Sequence, residues 1–237
     1  MGGAEFRLPI LVSWFGFAAL EAVILNKATS LVVVASALLF RTRSVPFDQL
    51  ASHWTVVVNL LVGSLLGAWF GAGWAIRLNA QSLHRVIAGL LVAIAVVLMF
   101  GHGAMAGHAL FNGTAQVIAG VVAGLAIGAV AALLGVAGGE LLIPTLVLLF
   151  GADIKLAGSL SLAVSLPTML VSFARYSQDR SFAVIGQNKV FMALMAAGSI
   201  AGSFIGAQLL GIVPNVVLLP ALALILLLSA VKVWRHR

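Results

Sequence analysis

Apolar residues run in long uninterrupted stretches along this chain, and polar positions gather in short clusters between them. Runs near the roughly 20 residues that cross ~30 Å of hydrocarbon predict membrane helices. They fall at about 8–25, 26–41, 54–75, 82–101, 116–134, 140–151, 155–174, 189–211 and 215–234. The runs are continuous rather than alternating, which argues against a transmembrane barrel. Two stretches differ from the rest. Residues 140–151 are few for a crossing, and the segment from Pro9 to Arg41 carries Glu21, Asn26 and Lys27 in its middle. Both predict helices broken near the bilayer centre, which lipid tolerates only where the freed backbone is covered by protein or lines a cavity.

The same pattern occurs twice. Gly63, Gly67 and Gly71 form a small-residue ladder that returns as Gly198, Gly202 and Gly206, at a constant offset of 135. Pro9–Gly16 answers Pro144–Gly151 at that offset, and a glycine pair precedes each, Gly2-Gly3 and Gly138-Gly139. Further on, Ala28–Leu31 aligns with Ser159–Leu162 if the first copy holds a few extra residues. The expected architecture is therefore all-α and polytopic. It has two repeats, 1–101 and 102–237, and the leading helix of the first repeat, the counterpart of 116–134, is missing from the pattern. Five segments per complete repeat is an odd number, so the second repeat inverts relative to the first, as in many secondary transporters.

Composition narrows the class. Hydrophobic residues make up 62% and charged residues 8%, which leaves no polar face for water. The net charge of +7 comes from lysines and arginines scattered singly or in pairs at the ends of apolar runs, so it reads as a topology signal and not as a nucleic-acid surface. With the Lys232, Arg235 and Arg237 tail in the cytoplasm, the loop 175–189 falls inside and 102–115 outside. The loop with Arg41 and Arg43 also falls outside, against the charge rule. The N-terminus lacks the pattern of a cleavable signal peptide. Cysteine is absent, which excludes a disulfide framework and thiolate chemistry.

Candidate chemistry lies at the breaks. In Gly135-Val-Ala-Gly138-Gly139-Glu140-Leu-Leu-Ile-Pro144 the glycines let the backbone turn, and a helix starting after them aims free N–H groups and its positive end into the gap. That predicts an anion site. A plain glycine turn between close-packed helices is the alternative, but recurrence with Glu5, Arg7 and Pro9 favours a ligand role. Ser161, Ser165, Thr168 and Ser172 share one helical face, and hydroxyls there either line a path or bond the preceding turn. Ser159 and Ser161, with Thr29 and Ser30 as their mates, are the better candidates. Glu21, Lys27, Asp153 and Lys155 are ionisable groups near the breaks, where hydrocarbon tolerates charge only if it is paired or hydrated. The ladders are expected to form the tight seam between repeats. Asn59 and Gln208 bond across a seam or face the cavity. The five histidines build no catalytic or metal constellation, so no enzyme, metal or cofactor is predicted.

The Gly-x-x-Gly-Gly-x-Leu-x-x-Pro motif followed by Ser-Leu-Ser-Leu, with a version of both in the first half, resembles the sulfite exporter TauE/SafE family. The resemblance implies a multi-pass carrier in the cell (inner) membrane that moves sulfite, sulfonates or related small anions. It implies that Gly138, Gly139, Pro144, Ser159 and Ser161 lie at a central site, with Gly2, Gly3, Pro9, Thr29 and Ser30 as symmetry mates. Lys27 or Arg7 would supply counter-charge. Proton coupling through Glu140, Glu5 or Glu21 is a further expectation. A passive anion channel, or a non-catalytic subunit of a larger assembly, is the alternative; oligomeric state stays open.

Overall fold

The computed structural model describes residues 4–41, 52–100, 111–152 and 154–209, with Leu224, Leu227 and Val231 from the last apolar run. The described residues form α1 (Ala4–Ser13), α2 (Ala19–Arg41), α3 (Trp54–Arg77), α4 (Ala80–Phe100), α5 (Gly113–Leu134), α6 (Gly139–Phe150) and α7 (Ile154–Tyr176). A 3-10 turn (Arg180–Phe182), α8 (Ala183–Gln187) and α9 (Lys189–Leu209) follow. Four of these helices are long and apolar enough to cross a membrane, and a fifth span results if α8 and α9, with a 76° bend between them, count as one. The predicted last span, the loop 102–110 and Asp153 lie outside the described residues, apart from the three positions named.

Helix starts keep the repeat offset. From α1 to α6 the first residue moves from 4 to 139, from α2 to α7 from 19 to 154, and from α3 to α9 from 54 to 189, a step of 135 each time. The helix ends that precede the second break match as well. Gly16 and Gly151 both take the left-handed conformation, at φ of 69° and 65°. Around them Phe17 N–H donates to the Leu11 carbonyl and Ala152 N–H to the Leu146 carbonyl, each at 3.2 Å, the six-to-one bond of a glycine-terminated helix.

This corrects the predicted division of the first half. The break lies at residues 14–18, not at Asn26-Lys27, and α2 runs unbroken through both polar residues. Polar side chains inside a span need partners, not an opened backbone, and both find carbonyls of neighbouring segments. The register changes too. α2 and α7 are each 23 residues long and start 135 apart, so Asn26 aligns with Ser161 and Ser30 with Ser165, with no extra residues in the first copy.

The two ladders pack differently. Gly63 faces Val121 and Leu125, Gly67 faces Leu125 and Ala129, and Gly71 faces Ala129, so α3 and α5 run parallel in register. A Cβ on Gly67 would lie 2.0 Å from the Leu125 carbonyl oxygen, which leaves glycine the sole residue that fits. Gly124 and Gly128 of α5 press back on Leu60 and Ser64. The first ladder is thus a backbone-to-backbone seam between the two halves of the chain. At Gly198 and Gly202 an added Cβ would meet nothing within 4 Å, and both glycines are exposed. Among the described residues these two glycines of the second ladder have no seam partner.

Candidate functional site

The site begins where α5 stops. Gly135 (φ 67°) and Gly138 (φ 77°) are both left-handed, so the chain turns twice between α5 and α6. A Cβ at Gly135 would come within 2.3 Å of the Val23 carbonyl, so the turn lies directly on α2. A helix end in lipid exposes carbonyls that need donors. Here five side chains of α2 and α7 supply them. Lys27 Nζ donates to Ala131 O (2.8 Å) and Val136 O (2.9 Å), and Asn26 Nδ2 to Leu134 O (3.0 Å) and Ala4 O (2.9 Å). Ser30 Oγ reaches Gly135 O at 3.4 Å, Ser165 Oγ reaches Ala137 O at 2.7 Å, and the Tyr176 hydroxyl reaches Ala132 O at 2.9 Å.

The amide side of the break has no such closure. No side chain caps the N-terminus of α6, and open space adjoins Gly139. First-turn N–H groups have no acceptor within their own helix. Pro144 and Pro9 each stand sixth in their helix, so each leaves the carbonyl four residues back, Glu140 or Glu5, without its helical partner. The first turns of α1 and α6 meet. Glu5 and Glu140, 135 apart in sequence, come close enough for their side chains to interact, and Glu5 is almost wholly buried.

Arg7 completes the cluster from α1. Its Nε donates to Asn26 Oδ1 (3.2 Å), Nη1 to Ser199 Oγ (2.8 Å) and Nη2 to Ser30 Oγ (2.5 Å), so the guanidinium ties α1, α2 and α9 together. All these acceptors are neutral. Among the described residues no hydrogen bond or ion pair joins Arg7 to Glu5, two positions earlier on the same helix. A guanidinium 9% exposed has lost most of its water, and that cost is recovered only by an anionic partner or by fully used donors. Carbonyls closed by donors, amides left open and a cation on neutral partners are the groups a small anion would meet at this break.

The family model described as sulfite exporter TauE/SafE matches residues 1–233. The chain belongs to that family. No curated protein and no solved structure matches it. TauE/SafE proteins are membrane transporters, and the apolar helices of this one make it a multi-pass membrane protein.

Within this TauE/SafE protein the predicted residues separate. Gly138, Gly139 and Glu140 stand at the open N-terminus of α6, and Ser30 contacts both Arg7 and the break. Lys27 is fully buried and spends two N–H groups on the α5 terminus, where it holds backbone. Thr29 bonds Leu25 O one turn back, and Ser161 bonds Gly158 O. Thr168 and Ser172 likewise bond their own helix, and Thr168 also meets Ser64 at 2.8 Å. Ser165 is the one member of the hydroxyl stripe whose bond goes to the break. Ser159 is buried, Glu21 accepts from the Ala18 amide at the start of α2, and Gly2 and Gly3 lie outside the described residues. Ser199 was missed. It is the offset mate of Ser64, and its ladder position suggested packing alone; Asn26 carried the better signal, as an amide inside a span.

Proposed function

We propose that this protein is a secondary carrier that moves a small sulfur-containing anion, sulfite or a sulfonate, across the cytoplasmic (inner) membrane by alternating access. The observation that carries the reading is the meeting of two repeat-related half-helices, first turn to first turn, beside Arg7 held by neutral partners. An oxyanion bound there accepts bonds from backbone amides of α6 and from the guanidinium. Repeats 1–101 and 102–237 act as inverted halves, one rocking against the other around this point. The parallel run of α3 and α5 supports the arrangement, because it puts the loops before Trp54 and Gly113 on one side.

Protons enter through the carboxyl pair. Two carboxylates brought together out of water repel each other and any anion beside them, so binding an anion here favours a proton on the pair. Substrate and proton therefore bind together, with Glu5–Glu140 as the coupling site and Arg7 facing the same space. The test uses methanesulfonate, whose charge is constant near neutral pH, and purified protein in proteoliposomes. Saturable, exchange-type uptake that weakens as pH rises is expected, and Glu140→Gln should remove the pH dependence. Unsaturable conductance would instead mark a passive channel, and the absence of any flux until a partner chain is added would mark a subunit of a larger assembly.

A further inference from the structure

We propose that the Lys27 ammonium is a built-in cation that fills the place a free coupling cation takes in a carrier of this construction, so that this protein works without sodium. In carriers with interrupted helices, carbonyls at helix C-terminal ends and in the unwound backbone beyond them hold the coupling ion, because they carry the negative end of the dipole and lack helical donors. The end of α5 is such a place. Left-handed Gly135 folds the chain back on itself, so the Ala131 and Val136 carbonyls, one on either side of the turn, converge on a single atom. That atom is Lys27 Nζ, at 2.8 Å from Ala131 O and 2.9 Å from Val136 O.

Other carbonyls of the turn are closed by neutral groups: Ala132 by Tyr176, Leu134 by Asn26, Gly135 by Ser30 and Ala137 by Ser165. A neutral side chain serves where one oxygen needs one donor, and the lysine stands where two oxygens face one point. Among the described residues no carboxylate pairs with Lys27, so the negative end of α5 is its counter-charge. The hydroxyl of Ser30 recurs at the 135-residue offset as Ser165, whereas Lys27 is answered by Leu162, so the cation belongs to this one helix end and not to the repeat. A sodium ion entering here would have to displace the fully buried Lys27 from both carbonyls, and two like charges in one low-dielectric place repel strongly. Sodium-independent transport rests on the carrier reading; occupation of the helix end by Lys27 does not.

The native protein gives the first measurement. At equal ionic strength its thermal unfolding in detergent should have the same midpoint in sodium chloride, potassium chloride and N-methylglucamine chloride. Methanesulfonate uptake into proteoliposomes should differ by less than about twofold among the three salts. The second measurement puts the cation back from solution. Lys27→Ala deletes the side chain beyond Cβ, and the missing atoms are those of n-propylammonium. Its lowered unfolding midpoint should regain about half or more of the loss in n-propylammonium chloride, and none in 1-propanol, which has the size and a hydroxyl donor but no charge. Lys27→Met fills the same space with apolar atoms and should respond to neither. A native midpoint raised by sodium over N-methylglucamine, sodium-dependent uptake, or equal rescue of Lys27→Ala by 1-propanol would each overturn the proposal. If Lys27→Ala does not accumulate, the sodium comparison on the native protein still decides. The unfolding measurements require no transport, so a protein without flux would sink the carrier reading and leave them standing.

Discussion

Arg7 and Lys27 are both buried cations, yet their surroundings assign them different work. Lys27 points two of its N–H groups at carbonyls freed by the end of α5, so its loss takes the donor from the Val136 carbonyl and leaves Ala131 with its backbone bond from Val136 N–H alone. Lys27→Met should lower stability by about 2 kcal/mol, part of the orphaned-carbonyl cost being offset by removal of a buried charge. Thermal unfolding in detergent measures this, and the midpoint should fall with or without anion present. Arg7 bonds neutral side chains that can rearrange when an anion arrives. Arg7→Lys keeps the charge but loses the planar fork, so the stabilisation that sulfite or methanesulfonate confers on the native protein should fall by about tenfold or more in apparent affinity. Retention of full anion-dependent stabilisation by Arg7→Lys would remove Arg7 from the site.

At the scale of elements, the contrast between identical ladders is decided by neighbours. Gly67→Ala forces a methyl to within 2.0 Å of a backbone oxygen, and neither helix can yield without parting the seam. Its cost should reach the upper end of overpacking, about 3 kcal/mol, and show as poor accumulation or a markedly lower unfolding midpoint. Gly202→Ala, its offset mate, meets no described residue within 4 Å and should melt like the native protein. The short helix α6 was legible because glycine bounds it at both ends, and glycine is the residue that enters the left-handed conformation without cost; its mate α1 was drawn as part of a span over 8–25 although Pro9 and Gly16 stand at the matched positions. The break drawn at Asn26-Lys27 was misplaced for the converse reason. Polar residues signal a need for partners, and a sequence does not say whether the partner is a neighbouring carbonyl or a cavity.

At the scale of the whole molecule, the test is whether equivalent positions face opposite sides. Ser52 and Gln187 are 135 apart, exposed, and stand just ahead of α3 and α9. In inverted repeats Ser52→Cys should react with an impermeant maleimide from outside intact cells, whereas Gln187→Cys should react only after permeabilisation. Asn112→Cys, before α5, should behave like Ser52→Cys because α3 and α5 are parallel. Labelling of Ser52→Cys and Gln187→Cys from the same side would exclude inversion.

Helical class, membrane residence, the 135-residue periodicity and the breaks at Gly138 and Gly151 were determined by sequence alone, because each depends on local chemistry: apolar length, or a backbone angle that few residues adopt. Tertiary structure decided which polar groups meet. That Arg7 finds Ser199 across 192 positions, that Glu5 meets Glu140, and that the first ladder is filled by α5 are matters of which helices are neighbours. In lipid, several small-residue faces can pack equally well, so the choice among them depends on the whole set of contacts and is written in no single segment.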